Sequence, residues 1–275
     1  MSISPTDRVA NDRPAAPASR RPAGVRPARW APSMILVAIL IAVWESYVRL
    51  ADVSPRVLPA PSRVVVQGWA NREVIAGHAA STLQVTLLGF ALALAVSWII
   101  ATCVDFSPWL RRAVVPLLVI SQTLPIVALA PLMIIWFGFG ILPKLLVVAL
   151  VTFFPMTVGL VEGFASADRD SDRLLRSMGA SRRQQFRYVR LPSAIPRFFT
   201  SLRIGITYAV VGAVFAEYVG ASSGLGIYMS QQKNAFRTDL VLAAVVVTAL
   251  CSVVLFLSTY LVQRIVAPWA AEDER

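Results

Sequence analysis

Charge is scarce in this chain. Only 15% of its 275 residues are Asp, Glu, Lys or Arg, against roughly 25% in an ordinary soluble domain. With 57% hydrophobic residues and a mean hydropathy of +0.66, a soluble fold of this length has nowhere to hide its apolar surface, and a bilayer does. Lysine is almost absent, at Lys144 and Lys233 only, and neither follows a glycine. A phosphate-binding loop needs glycine directly before its lysine, so the chain is not its own ATPase. The lone histidine, His78, and the scattered carboxylates do not supply the converging acid, base or metal ligands of a membrane enzyme. Cys103 and Cys251 both fall in apolar runs without metal-ligand spacing and read as small apolar groups. No disulfide, metal or cofactor is expected.

What is abundant is arginine. The net charge of +11 sits largely in two segments between or outside apolar runs, the pattern of a membrane protein that keeps one face in the cytoplasm. Too few solvated residues remain to build a nucleic-acid groove. Residues 1–31, rich in Pro, Ala and Arg and without hydrophobic periodicity, are expected to be a disordered basic cytoplasmic tail. The apolar run 33–48 is too long for a signal-peptide core and closes on Trp44-Glu45-Ser46-Tyr47 rather than a cleavage site, so it reads as an uncleaved first span.

Further spans of the length a bilayer requires are predicted near 82–104, 114–137, 141–161, 198–219 and 239–262. The fold class is therefore an all-α integral membrane protein of about six transmembrane helices. A transmembrane domain covers 32–268 and a short cytoplasmic C-terminus 269–275. Ser62 is placed to cap a short interfacial helix between the first two spans. With the tail inside, eighteen basic residues lie on the cytoplasmic side and seven outside, and Arg203 falls within a span. The positive-inside rule then puts both termini in the cytoplasm.

The loop 162–197 is the longest polar stretch after the tail, and it is patterned. Ser166 or Asp168 can cap a helix carrying Leu174, Leu175 and Met178 on one face, and Gly179 supplies the turn that commonly ends a helix. Ser181 can cap a second helix with Phe186 and Val189 as apolar contacts, and Leu191-Pro192 is expected to stop it. This helix–Gly–helix unit has the shape of a docking element. A solvated connector whose arginines set topology is the other reading of the same residues.

Gly179, nine residues, then Val189-Arg190-Leu191-Pro192 is similar to the EAA loop of ABC importer permeases, and Ser177-Met178-Gly179-Ala180-Ser181 resembles that loop's turn. Where the family commonly has Glu-Ala-Ala, this chain has Arg173-Leu174-Leu175. Leu58-Pro59-Ala60-Pro61-Ser62, Leu87-Leu88-Gly89-Phe90, Trp136-Phe137-Gly138-Phe139-Gly140, Phe153-Phe154-Pro155 and Gly220-Ala221-Ser222-Ser223-Gly224-Leu225-Gly226 look like the sulfonate, nitrate and taurine permease subfamily. Ser121-Gln122-Thr123-Leu124-Pro125 and Ala216-Glu217-Tyr218-Val219-Gly220 look most like its thiamine-pyrimidine-precursor and riboflavin members. The resemblance covers about 33–265.

It implies a permease moving a small solute, a vitamin or its precursor or else a sulfonate- or nitrate-type anion. The implied partners are cytoplasmic ABC ATPase subunits and an external solute-binding protein. The implied coupling residues are Arg173, Leu174, Leu175, Met178, Gly179, Ala180, Ser181, Val189, Leu191 and Pro192.

Within the spans, Ser201, Gly205, Ala209 and Ala213 recur at i+4 and form a small-residue ridge that admits another helix closely. One docking loop per chain and two ATPases per pump call for two permease chains, so the ridge is the candidate interface of a homodimer. Gln122 and Thr123 before Pro125, together with Glu217, are candidates for the pathway, since proline frees carbonyls that are tolerated where they face protein or a water-filled cavity. Interfacial placement is the plain account of Glu45, Glu162 and Glu217. Arg203 is expected to snorkel to the cytoplasmic surface, and His78 to have a surface role. The alternative function, a secondary transporter or channel driven by an ion gradient, lacks a central carboxylate or histidine pair in any span.

Overall fold

Apolar runs of twenty or more residues satisfy their own backbone groups only as helices when water is excluded, and the computed structural model is built from helices. It describes residues 31–123 and 125–268. All but the last residue of the predicted tail and all of the C-terminal segment 269–275 lie outside the described residues. The elements are α1 (Ala31–Leu50), α2 (Pro61–Ala70), α3 (Arg72–Phe106), α4 (Pro108–Ser121), α5 (Ile126–Phe137), α6 (Ile141–Ala165), α7 (Arg169–Ser177), α8 (Arg182–Gln185), a π-helical turn (Phe186–Arg190), α9 (Leu191–Gly220), α10 (Leu225–Asn234) and α11 (Thr238–Val266).

Among the described residues, five helices are long and apolar enough to cross a membrane: Pro32–Leu50, α3, α6, the continuous stretch Arg182–Gly220 and α11. The predicted span 114–137 is not one helix. It breaks between Ser121 and Ile126, where Pro125 lacks the amide a continuing ladder needs, and so becomes the pair α4 and α5. Uniform hydropathy concealed the break.

The centre of the molecule is α6, packed along both α9 and α3. Small residues set this closeness. A Cβ added at Gly159 would meet Ser201 Oγ, and one added at Gly205 would lie 3.0 Å from Met156 Cγ. Ala209 and Ala213 form a core cluster with Val85 and Val148. The ridge Ser201–Gly205–Ala209–Ala213 is therefore consumed inside the protomer, which corrects its assignment to a dimer interface. A small-residue face admits the nearest helix, and here that helix is α6 of the same chain.

Three local expectations are corrected as well. Ser62 does not cap α2. Ala60 holds the cap position, and the Ser62 amide and hydroxyl donate to the Glu45 carboxylate of α1 at 3.0 and 2.7 Å. Pro192 does not stop the helix that begins at Arg182. The π turn before it resets the hydrogen-bond register, and the chain continues helically through α9. Arg203 does not snorkel. It is buried over the Tyr260 ring, 3.9 Å from its centroid, and donates to Gln263 of α11.

Candidate functional site

At one end of the bundle, α7 and α8 form the helix–Gly–helix unit. Asp168 caps α7, accepting from the amides of Asp170 and Ser171 and from the Ser171 hydroxyl at 2.6 Å. The Ser171 hydroxyl, then the Ser171 and Asp170 amides, hold its carboxyl below the usual range. Asp170 and Asp172 in the first turn and Arg176 in the last complement the helix dipole. Gly179 ends the helix at φ +82°, with its amide donating to Arg176 O at 3.0 Å and the Ala180 amide to Leu175 O at 2.9 Å. This is the Schellman arrangement. A Cβ at Gly179 would meet open space, so conformation rather than room selects glycine there.

Ser181 opens α8 with a capping box: its hydroxyl accepts from the Gln184 amide, and Gln184 Oε1 accepts from the Ser181 amide at 2.7 Å. Buried Gln185 joins the two arms, donating to Ala180 O at 3.0 Å and accepting from Arg176 at 3.3 Å.

The unit is bolted to the bundle by charge. Arg190, in the π turn, donates to both oxygens of Asp105 near the end of α3, at 2.8 and 3.0 Å, and reaches Asp172 of α7 at 3.4 Å. Asp172 also accepts from Arg176 at 3.0 Å. Phe186 packs between Phe106 and Phe164, with ring centroids 5.3 and 5.1 Å away. Leu175, Ala180, Val189, Leu191 and Pro192 are half-buried. Leu174 and Met178, by contrast, are 63% and 74% exposed. Arg173 is exposed, and its guanidinium meets Asp170 at 3.5 Å. The predicted coupling residues are thus brought together, with two large apolar side chains left facing outward.

The candidate pathway residues do not converge. Gln122, Thr123 and Pro125 sit at the α4–α5 break, where Ser121 and Gln122 line a cavity of about 140 Å³ together with Pro155 and Tyr208. Glu217 lies nine residues beyond Tyr208, roughly 13 Å along α9, and lines no part of that cavity. It is fully buried. Its Oε2 accepts from Thr82 Oγ1 at 2.9 Å and from the Gly226 amide at 3.0 Å. Thr82 in turn accepts from the Leu225 amide at 2.8 Å, and His78 Nδ1 accepts from the Gly224 amide at 3.1 Å. Glu217, Thr82 and His78 therefore pin the turn between α9 and α10 onto α3. His78 is a half-buried fastener rather than a surface residue.

Lys144 is buried at the start of α6. The signal available was a lysine set inside an apolar run.

A family model described as binding-protein-dependent transport system inner membrane component matches residues 93–272. The chain belongs to this family. The permease is 34% identical over 84% of its length to a formylaminopyrimidine transport permease of Halalkalibacterium halodurans, covering 92% of that protein. It is 33% identical to a riboflavin transport permease of Chloroflexus aurantiacus, over 86% of this chain and 89% of that one. It is also 32% identical to the taurine transport permease of Escherichia coli, over 86% and 88%. Inward-facing structures of a methionine ABC transporter superpose with a TM-score of 0.60 at 17% identity, covering 68% of this chain and 93% of theirs. That likeness shows the fold. The protein is the multi-pass inner-membrane permease subunit of an ABC importer.

Proposed function

We propose that this permease translocates a small solute, a vitamin or its precursor or else a sulfonate-type anion, delivered by an external binding protein and driven by separate cytoplasmic ATPase subunits. The observation that carries the coupling half is the α7–Gly179–α8 unit. It is rigidly capped, tied to α3 through Arg190 and Asp105, and left with Leu174 and Met178 exposed as apolar knobs. Exposed large apolar side chains on a charged surface mark a partner contact, and a groove on the ATPase is its counterpart here. The solute half rests on relatives whose names cover both a pyrimidine or flavin and a sulfonate.

The arginine distribution supports placing both termini and the coupling loop in the cytoplasm, which puts the Glu217 end of α9 outside. Two ATPases need two coupling loops, so the working unit contains two permease chains in the bilayer, read here as identical. The ridge of α9 is internal, and their interface must use other helical faces. An ion-driven carrier has no observation in its favour, and no nucleic-acid role is assigned.

The test is ATP-driven uptake by membranes carrying Gly179→Val together with the cognate ATPase subunits and binding protein. Lost uptake at normal abundance is expected. Normal uptake at normal abundance would leave the loop a mere connector.

A further inference from the structure

At the end of the bundle opposite the coupling loop lies a cavity of about 600 Å³, within the range of small-molecule sites. Ser81 and Gln84 of α3, Gly140 and Ile141 at the start of α6, Lys144 one turn on, and Gly220–Ser223 after α9 line it. None of the lining residues is acidic. Lys144 is 8% exposed, and no hydrogen bond or ion pair ties its ammonium to any described residue. The acid that acts on it electrostatically is Glu217, whose Oε2 is engaged by Thr82 and Gly226 and whose buried Oε1 has no hydrogen-bond partner among the described residues.

The Lys144 Nζ is not among the buried polar atoms left without a partner, so it reaches into the cavity, and an ammonium at the wall of a pocket with no acid of its own draws in an anion. The setting is suited to one. The first amides of the 25-residue helix α6 have no intrahelical acceptor. Their dipole favours negative charge at that end, and the hydroxyls of Ser222 and Ser223 and the Gln84 amide add neutral donors.

We propose that this cavity is a solute-recognition site, in which Lys144 and the start of α6 receive an anionic group, a sulfonate or carboxylate, of the transported molecule. The proposal rests on the permease reading and narrows its solute to an anion. In the proposed orientation the cavity opens toward the binding protein, so the solute meets Lys144 as it is handed over. Glu217 behind the cavity limits the net positive charge, which allows the anion to leave once the helices move.

The test uses the complete transporter, permease with its ATPase subunits and cognate binding protein, in proteoliposomes with ethanesulfonate, riboflavin and formylaminopyrimidine as probes. ATP-driven uptake of ethanesulfonate is expected. Lys144→Met should lower that uptake at least tenfold at matched abundance, while Lys144→Arg should keep it within about threefold. If Lys144→Met fails to insert, Gln84→Leu, which trims the polar lining and leaves the lysine, should still lower ethanesulfonate uptake several-fold. Uptake of riboflavin or formylaminopyrimidine but not ethanesulfonate, or undiminished ethanesulfonate uptake by Lys144→Met or Gln84→Leu, would overturn the anion site and leave the permease reading standing. Failure of ATP to drive any probe into liposomes holding an assembled complex would count against the permease reading, and the site would fall with it.

Discussion

The two ends of α9 are held by different kinds of polar chemistry. At the coupling end, Arg190 meets Asp105 and Asp172 in a partly solvated network, and each charge has an opposite. At the other end a single acid, Glu217, is fully buried, faces a hydroxyl and an amide, and forms no ion pair with a described residue. Paired charges near water can be rearranged at modest cost. A buried acid serving as the fastener of a turn tolerates almost no change of shape. The comparison separates a joint adapted to transmitting force from one adapted to staying shut.

The sharpest way to break the comparison is at the shut end. Gly224 has φ +124°, and a Cβ there would collide with the Glu217 carboxyl group. Gly224→Ala should therefore cost on the order of 3 kcal/mol or more from strain and clash together. Membrane abundance and detergent-solution melting temperature should both drop, and a variant that is expressed and melts normally would show that the turn has slack. At the coupling end Gly179→Val meets open space, so only the left-handed strain of roughly 1 kcal/mol applies. Abundance should hold while uptake falls by more than tenfold, because Leu174 and Met178 are re-aimed.

Arg190→Gln removes the guanidinium that joins α3 to α7. In this half-exposed setting the loss is about 1–2 kcal/mol. Its signature should be a several-fold drop in solute moved per ATP hydrolysed, measured as the ratio of the two rates in one preparation. Arg190→Lys, which keeps the charge without the fork, should recover only part of that ratio.

Ser181→Ala deletes the capping box at a cost of about 1 kcal/mol, visible as faster backbone hydrogen exchange over 182–185 with uptake lowered no more than about twofold. The smallest effect is a pH dependence. The Asp168 carboxyl is held below its ordinary range chiefly by the Ser171 hydroxyl. The stability it lends α7 is therefore present above the unfolded carboxylate value and is lost as pH falls through the lower, folded one. Hydrogen-exchange protection over 169–177, with the intrinsic pH dependence of exchange divided out, should fall on acidification in the wild type and stay flat in Asp168→Asn.

How far the sequence could be read differs between the same two ends, and for a physical reason. Around the coupling loop the determinants are local. Asp168, Gly179 and Ser181 act on amides within three residues of themselves, and all three behave as their identities predict. Elsewhere the determinants are partners distant in sequence. Thr82 with Glu217, and Gly159 with Ser201, meet only after the helices pack. A ridge such as Ser201–Ala213 therefore announces close approach without naming the helix that approaches. Ser62 shows the same limit, because its amide is satisfied by Glu45 of another helix rather than by a local cap. Pro125 and Pro192 mislead in opposite directions. One breaks a uniformly apolar run, and the other is carried through by a change of hydrogen-bond register in the preceding turn.

That change of register has a mechanical result. Because the π turn at Phe186–Arg190 keeps the chain helical, Arg182 to Gly220 is a single rod of 39 residues, about 58 Å long at 1.5 Å per residue. One tip belongs to the surface proposed to meet the ATPase, and the other ends where Glu217 clamps the turn beside the Lys144 cavity. A helix hardly compresses along its axis, so displacement applied at Ser181 arrives at Gly220 almost undiminished. Insertion of a two-glycine hinge at the π turn should uncouple the tips while sparing both.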